Sequence, residues 1–462
     1  MKSRIVIVGA GISGLALGWF LKQRLGNQID LKIVEASDRV GGWIRTNQCG
    51  DFLFEAGPRS CRARGKAVET LQLIEDLGLA DQVITASTSA TTRYLYADGS
   101  LQQLPKGVFS LLTSPLMRGI LPSLWREWSA PSSFQQDESI ADFVDRRFGG
   151  DIAERFFDPL VSGIYAGDIR RLSVRSCFPE MYRLEQESGS IVGGLLKQLL
   201  KRKIKGPPRS AFVEKMLRSP IFSFQKGMAT LTDRLGTTLR DELLMNCKVV
   251  DMNLSAKNIE VCTDTQGTLH ADHIFLATPA HATATILRSI SPQLVDQIMA
   301  MPSTTVAVVN LGWNKKVLNR EGFGYLVPTR EQEEVLGVVW DSSVFPHHNL
   351  TPSQTRLTVM MGGTHHPAIE KISNEEILRR SLGAVSKHLG INVEPDSSHV
   401  VMARQAIPQY SVNHHAKMQA IEDNLSLIST ARVHLLGSSW GGVSIHDCVF
   451  SAKQMSECPI LS

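Results

Sequence analysis

The chain opens with an apolar run, Ile5-Val6-Ile7-Val8, that passes directly into Gly9-Ala10-Gly11-Ile12-Ser13-Gly14 and a helix-like stretch. A second apolar run, Leu31 to Val34, then ends at Glu35-Ala36. Strand, glycine turn, helix, strand and terminal acid form the dinucleotide-binding fingerprint in its proper context. Each residue has a physical task. Gly9 permits the tight turn, Gly11 lets the backbone approach a pyrophosphate, and Gly14 lets the helix pack on the sheet. The helix N-terminus, with Ala10, Ile12 and Ser13, offers free N–H groups to phosphates, and Glu35, beside Ala36, takes ribose hydroxyls. A tight turn with no ligand is the plain alternative, against which the flanking strands and the acid weigh.

At 462 residues the chain exceeds one ordinary core, so two or three domains are expected. With 43% hydrophobic and 20% charged residues it is globular. A formal charge of +4 is slight for this length and makes no case for nucleic acid. The seven cysteines contain no C-x-x-C pair, so neither a zinc site nor a disulfide framework is indicated, and no metal is expected. The first apolar run is a strand broken by glycines, not a secretory signal, and no stretch is long enough to cross a bilayer. A cytoplasmic protein is expected, with membrane contact limited to the peripheral kind on the inner face.

Further signals separate one dinucleotide from another. Asp38-Arg39-Val40-Gly41-Gly42-Trp43-Ile44-Arg45 places a glycine doublet between arginines. It resembles the doublet of the FAD-dependent amine oxidase and protoporphyrinogen oxidase superfamily, whose backbone lines the FAD pyrophosphate and ribityl chain; a basic surface turn is the plain reading. Asp272 to Pro279 reads as a short strand ending in a turn and resembles the family segment that returns the chain to the FAD domain. Val433 to Ser438 is another strand, followed by Trp440-Gly441-Gly442-Val443-Ser444-Ile445 and a helix-like stretch. A glycine turn opening a helix presents N–H groups, here toward the flavin.

The expected architecture is therefore α/β: a Rossmann-like FAD domain from separated segments (1–88, 226–300 and 408–462), with other units inserted. One is a mixed-sheet substrate-binding domain (89–104, 190–225 and 301–407), because Val306 to Asn310, Gly324 to Val327, Val335 to Trp340 and Leu357 to Met361 read as strands. The other is a helical unit (105–189), with helical apolar spacing over Ser139 to Phe157. Ser190 to Lys205 has an apolar face and carries Lys197, Lys201, Arg202, Lys203 and Lys205; it suits an anionic membrane or a solvated edge of the core equally well. The greasy segment Leu101 to Trp128 suits a channel mouth, a membrane-facing surface or ordinary core.

Several blocks together resemble the protoporphyrinogen oxidase family: Gly57-Pro58-Arg59-Ser60, Arg93-Tyr94-Leu95-Tyr96, Ser162 to Asp168, Leu172 to Pro179, Gly322 to Pro328 and Val359 to Gly363. They keep the family order over nearly the whole chain. The resemblance implies an enzyme with non-covalent FAD that removes six electrons from a porphyrinogen, two at a time, and passes them to oxygen. It implies that Arg93 pairs with a substrate propionate, that Phe323, Leu326, Val339 and Met360 pack on the tetrapyrrole, and that Gly163 lies beside it. It also implies FAD contacts at Gly42, Trp43, Gly57, Pro58, Arg59, Ser60, Val443, Ser444 and Ile445, and an adenine contact from the Val249 backbone. Without the family, Arg93 reads as a strand-edge cation and the apolar four as sheet core.

No general acid or base is assigned: His281, His365, His366, His414, His415 and His446 are scattered, and hydride transfer to a flavin needs chiefly positioning. His415 stands where relatives carry an aromatic residue. Asn310 stands in the stretch where an amine oxidase would show a lysine, and Cys448 lies inside a helix-like stretch, which argues against covalent flavin. Coproporphyrinogen III is the rival substrate, the placing of Arg62, Arg64 and Arg175 being undecided. A non-catalytic, membrane-associated FAD protein that binds tetrapyrrole is the other class of reading. Handover to a metal-inserting chelatase is a further partner left open.

Overall fold

A computed structural model describes residues 2–105, 120–131, 136–200, 209–219, 221–255, 258–430 and 432–458. The first strand, β1 (Ser3–Val8), is fully apolar along its second half and so must be covered on both faces, as parallel strands are. It lies at the centre of a five-stranded parallel sheet between β2 (Ile29–Val34) and the strand His273–Leu276; Val433–Leu435 and Leu243–Leu244 complete the edges. Alternation sends Ile5 and Ile7 to one core and Val6 and Val8 to the other. The first core is closed by the helices α1 (Ile12–Leu25) and Ile445–Ser456, the second by a three-stranded sheet and the helices Pro292–Met299 and His414–Ser429. Each fully buried Leu or Ile contributes roughly 1.5–3 kcal/mol, so this sheet anchors the molecule.

A seven-stranded mixed sheet forms the second layer system. Its longest inner strand, Ser303–Trp313, lies next to the edge strand Ser397–Pro408 and is antiparallel to it and to Thr355–Gly362. The strands Val335–Val339, Gly324–Leu326 and Tyr94–Ala97 extend it outward to Ser100–Gln103. One face, through Val309, Leu311, Val359 and Met361, packs beneath the helix Asn374–Leu389. The opposite face carries Val306, Val308, Leu336 and Met360.

The helical unit rests on a buried charge cluster. Arg147 of the helix Ile140–Phe148 is fully buried with Glu127 and Glu185. Glu127 also accepts hydrogen bonds from Ser190 Oγ (2.8 Å) and from the backbone N–H of Ile191 (2.5 Å) and Val192 (3.2 Å). That carboxylate caps the helix Ile191–Leu200, satisfying N–H groups that have no partner within the helix. Ile191–Leu200 consequently packs with the helical unit, and the helix Ala211–Leu217 packs into the first core through Val213 and Met216, although both fall within the 190–225 stretch expected with the substrate sheet. The basic residues at 201–205 and the segment 106–119 lie outside the described residues.

The strands β3 (Thr46–Cys49) and β4 (Phe52–Glu55) form a hairpin leading out of the nucleotide unit. At its end Glu55 is buried; it accepts hydrogen bonds from the Met228 N–H (2.7 Å) and the Thr46 hydroxyl (2.9 Å). Burial, opposed by these bonds, pushes the Glu55 carboxyl from its ordinary 4.5 up to about 7. A carboxyl whose folded value exceeds its unfolded one contributes stability that is complete below the unfolded value and is lost as pH rises through the folded one. Stability should therefore fall between about pH 4.5 and pH 7 on this account. Glu55→Gln, isosteric with the protonated acid, should flatten that slope and stabilise the protein at pH 8 by on the order of 2–3 kcal/mol. Urea unfolding at pH 5 and pH 8 reads this directly, and parallel slopes for the two proteins would refute it.

Candidate active site

Three glycine-bearing loops meet where β1 ends. Gly9 holds a φ of +103°, and a Cβ on Gly14 would stand 2.0 Å from the Gly9 carbonyl oxygen, so helix and turn touch as only glycine allows. Gly41 donates its N–H to the Ala10 carbonyl (2.8 Å), and a Cβ on Gly42 would come within 3.3 Å of Gly11 Cα. A Cβ on Gly57 would lie 2.0 Å from the Trp43 carbonyl oxygen. Thus the first turn, the Gly42-Trp43 doublet and the Gly57-Pro58-Arg59-Ser60 loop form one continuous backbone cradle. No side chain caps α1 at Gly11, which leaves the N–H groups of Ile12 and Ser13 for an anion.

The remaining nucleotide residues gather around it. Glu35 accepts from the Ala10 N–H (2.8 Å) and from the N–H (3.0 Å) and hydroxyl (2.7 Å) of Ser37, with lone-pair capacity left for hydroxyls. The carbonyls of Glu35 and Ser37 accept from Cys247 and Asn246, which holds the segment leading into the strand Val249–Leu254 against the end of β2. From the far end of the chain, Val443 precedes Ser444, which caps the helix Ile445–Ser456 in a capping box with Asp447. A Cβ on Gly437 would lie 3.7 Å from Ser13 Oγ, so this turn overlies the start of α1. These features suit a flavin dinucleotide: backbone close enough to exclude side chains, and a helix start at α1 that no side chain caps.

The substrate residues expected from sequence share one side of the seven-stranded sheet. A Cβ on Gly163, in the helix Asp158–Tyr165, would stand 2.5 Å from Leu326 Cδ2. Leu326 pairs with Gly337, Gly337 with Met360, and Val339 with Thr358. The Arg93 guanidinium lies 5.3 Å from the centre of the Phe323 ring. Burial, and then the Arg62 and Arg64 charges, lower the Arg93 guanidinium from its usual value, and no carboxylate pairs with it among the described residues. A half-buried, uncompensated cation on an aromatic face is a ready carboxylate receptor.

Between cradle and sheet lies a polar bridge that the sequence did not disclose. Arg59 Nη1 meets Asp341 Oδ1 at 3.2 Å, and Asp341 Oδ2 lies 2.7 Å from the Thr358 hydroxyl, itself 2.9 Å from Asn310 Oδ1. Arg356, nearly inaccessible, donates to Asn349 Oδ1 (2.9 Å) and to the carbonyls of Leu53 (3.2 Å) and Phe345 (2.9 Å), tying the sheet to β4. Two buried atoms of this bridge, Arg59 Nη2 and Asn310 Nδ2, have no hydrogen-bond partner among the described residues. The only signal in the sequence was a polar residue interrupting each of two apolar strands.

Among the scattered histidines, His446 bonds Thr70 Oγ1 (2.8 Å) and the Arg62 carbonyl (2.7 Å), while His414 stacks on Tyr410. Burial lowers His414 to about 4, so it is a neutral packing group. Tyr410 in turn donates to the Ser438 carbonyl and accepts from the Gly442 N–H (3.0 Å), fixing the C-terminal turn. Among the described residues no group of three His, Cys, Asp or Glu could hold a metal ion.

A sequence profile of flavin containing amine oxidoreductases matches residues 12–458. A human relative named protoporphyrinogen oxidase is 33% identical over 98% of both chains. A Bacillus subtilis relative named coproporphyrinogen III oxidase is 29% identical, covering 98% of this chain and 97% of its own. A solved structure from Exiguobacterium superposes with a TM-score of 0.84 at 24% identity, covering 99% of this chain and 98% of that one. With the cradle, the paired helix N-termini and the apolar sheet face already in place, the chain belongs to the flavin-containing amine oxidoreductase family, among the relatives of the protoporphyrinogen oxidases.

Proposed function

We propose that the protein oxidises protoporphyrinogen IX to protoporphyrin IX in heme biosynthesis, with non-covalent FAD and molecular oxygen as acceptor. The observation that carries this reading is Arg93 over Phe323 beside an apolar wall: a carboxylate receptor next to a surface for a large apolar ring. The human relative's name supports it. When bound, the flavin supplies two-electron acceptance, so six electrons require three cycles. The chain's part is to orient and to exclude water. Leu326, Val339 and Met360 offer a dry face, Gly163 lets the helix Asp158–Tyr165 close on Leu326, and Arg93 fixes one rim of the macrocycle.

Loops 9–14, 41–43 and 57–60, Glu35, Val249 and the turn 443–445 hold the cofactor in this proposal. Cys448 supports a non-covalent attachment, because it is buried in a helix and burial pushes its thiol up to about 11, where little thiolate exists. A second substrate, coproporphyrinogen III, is favoured by one observation: the Arg62 and Arg64 charges act on Arg93, and additional cations suit additional propionates. The Bacillus relative's name supports that reading.

Peripheral membrane contact is proposed on a separate observation. Trp125 and Trp128, on the helix Ile120–Ser129, are 81% and 61% exposed, and Leu200 on the neighbouring helix Ile191–Leu200 is 85% exposed. Among the described residues no helix is long and apolar enough to cross a membrane. A Trp125→Ser/Trp128→Ser variant should co-sediment with anionic vesicles less than the parent, and a parent that stays in the supernatant at low salt would end this proposal.

Anaerobic mixing with each porphyrinogen should bleach the flavin absorbance, and the ratio of the two rates identifies the preferred substrate. No bleaching above the substrate-free control with either would sink the oxidase reading. Arg93→Ala should raise KM by roughly 10- to 100-fold with kcat less affected, since a hydrogen bond to a charged group is worth about 1.5–3 kcal/mol. Steady-state kinetics check this, and an unchanged KM for both substrates removes Arg93 from the site.

A further inference from the structure

Away from the cradle, a cavity of about 370 Å³ opens in the helical unit between the helix Ile120–Ser129 and the turn that follows the helix Ile140–Phe148. That volume lies within the range of small-molecule sites. Its lining is amphiphilic: Pro122, Phe148 and Ile152 form an apolar wall, and Arg126 and Arg155 bring two guanidinium groups. Gly149, at a φ of +99°, keeps one side clear, since a Cβ there would come within 3.6 Å of Arg126 Nη1. The chain then widens into a π turn over Ala153–Phe157, which carries Arg155 to the same lining. Single π turns of this kind recur at functional sites.

The charge in this cavity is not balanced. The Arg126 guanidinium has no hydrogen-bond or carboxylate partner among the described residues. Asp151, the one carboxylate among the described lining residues, is almost fully exposed, and its Oδ2 lies 3.8 Å from Arg155 Nη2. An exposed pair at that separation contributes little and is screened by salt. The cavity is thus a positive hollow with an apolar wall, which suits a ligand that joins an anionic group to an apolar one.

The position of the cavity on its helix indicates where such a ligand comes from. With a turn of about 100° per residue, Glu127 faces inward to Arg147, Trp125 and Trp128 face solvent, and the strip of Pro122 and Arg126 runs beside the tryptophans. Arginine takes phosphate through two parallel N–H···O bonds, and tryptophan settles at headgroup level in a bilayer. We propose that the cavity binds the phosphate of a membrane phospholipid between Arg126 and Arg155, with the glycerol end of its acyl chains against Pro122, Phe148 and Ile152, while Trp125 and Trp128 enter the interface alongside. This gives the membrane contact proposed above a defined ligand, and it rests on that reading.

Calorimetric titration of the full-length chain with dihexanoylphosphatidylglycerol below its micellar concentration tests the site, because the monomer presents the phosphate without a bilayer. The parent should bind it saturably, and Arg126→Gln should weaken binding roughly tenfold, as for one lost hydrogen bond to a charged group. Arg155→Gln should act in the same direction, and it carries the test if the first variant does not fold. The paired serine variant of Trp125 and Trp128 should keep the monomer affinity and lose co-sedimentation with phosphatidylglycerol vesicles. A parent that sediments with vesicles but shows no saturable monomer binding overturns the site alone, as does an Arg126→Gln chain with parental affinity. Inorganic phosphate that displaces the lipid at equal concentration overturns the lipid as its source and leaves a pocket for free anions. A parent that binds the monomer but stays in the supernatant with vesicles overturns the membrane reading, so the two failures are distinct.

Discussion

The contact on which the two halves of the molecule depend is the ion pair between Arg59 and Asp341, 282 residues apart in sequence and largely withdrawn from water. Desolvating two charges is expensive, and their attraction offsets the cost only if geometry is good and the remaining lone pairs are satisfied. Asp341 meets that condition through Thr358, whereas Arg59 keeps a nitrogen without a partner among the described residues. Such a pair contributes little net stability. It instead fixes how the Gly57 to Ser60 loop is set against the sheet, because any slip would strand a buried charge.

Around that junction the structure divides labour by chemistry. Backbone does the work in the cradle, where glycines at 9, 14, 42 and 57 let main chains approach closer than any side chain would permit. Side chains do the work on the sheet, where apolar residues make a dry wall and Arg93, acted on by the Arg62 and Arg64 charges, stands at one end. Phe52 seals the seam, its ring lying where a Cβ on Gly312 would come within 2.6 Å. The buried Arg356 adds one hydrogen bond across the same seam, to the Leu53 carbonyl, and is held in place by Asn349 and the Phe345 carbonyl.

The first nucleotide unit was legible in the sequence because its signals are local: a strand, a turn and a helix start within a few residues of Gly9. The strands about Val306, Val335 and Leu357 were legible for the same reason, through apolar periodicity, and they run slightly longer or shorter than expected. Arg93, Gly163, Leu326 and Met360 were singled out by family resemblance alone, since by its own pattern Arg93 reads as a strand-edge cation and Leu326 and Met360 as ordinary sheet core. Glu55 with Met228, and Arg59 with Asp341, were not legible, because nothing in a linear chain marks which distant polar groups will be buried together. Ile191–Leu200 shows the same limit from another side: its apolar face was evident, but Glu127 decides where it docks.

The central five-stranded sheet takes strands from residues 3–8, 29–34, 243–244, 273–276 and 433–435, and its cradle is completed by the turn around Gly437 to Ile445. That last turn lies far along the chain from the glycine fingerprint. The flavin site is therefore incomplete until both have been synthesised, however early the fingerprint appears. Until Val433–Leu435 joins, the strand His273–Leu276 has an open apolar edge, a target for chaperones or for aggregation. Cofactor supply once that turn is in place should consequently govern the yield of native protein, since a ligand that binds only the folded state draws the chain toward it.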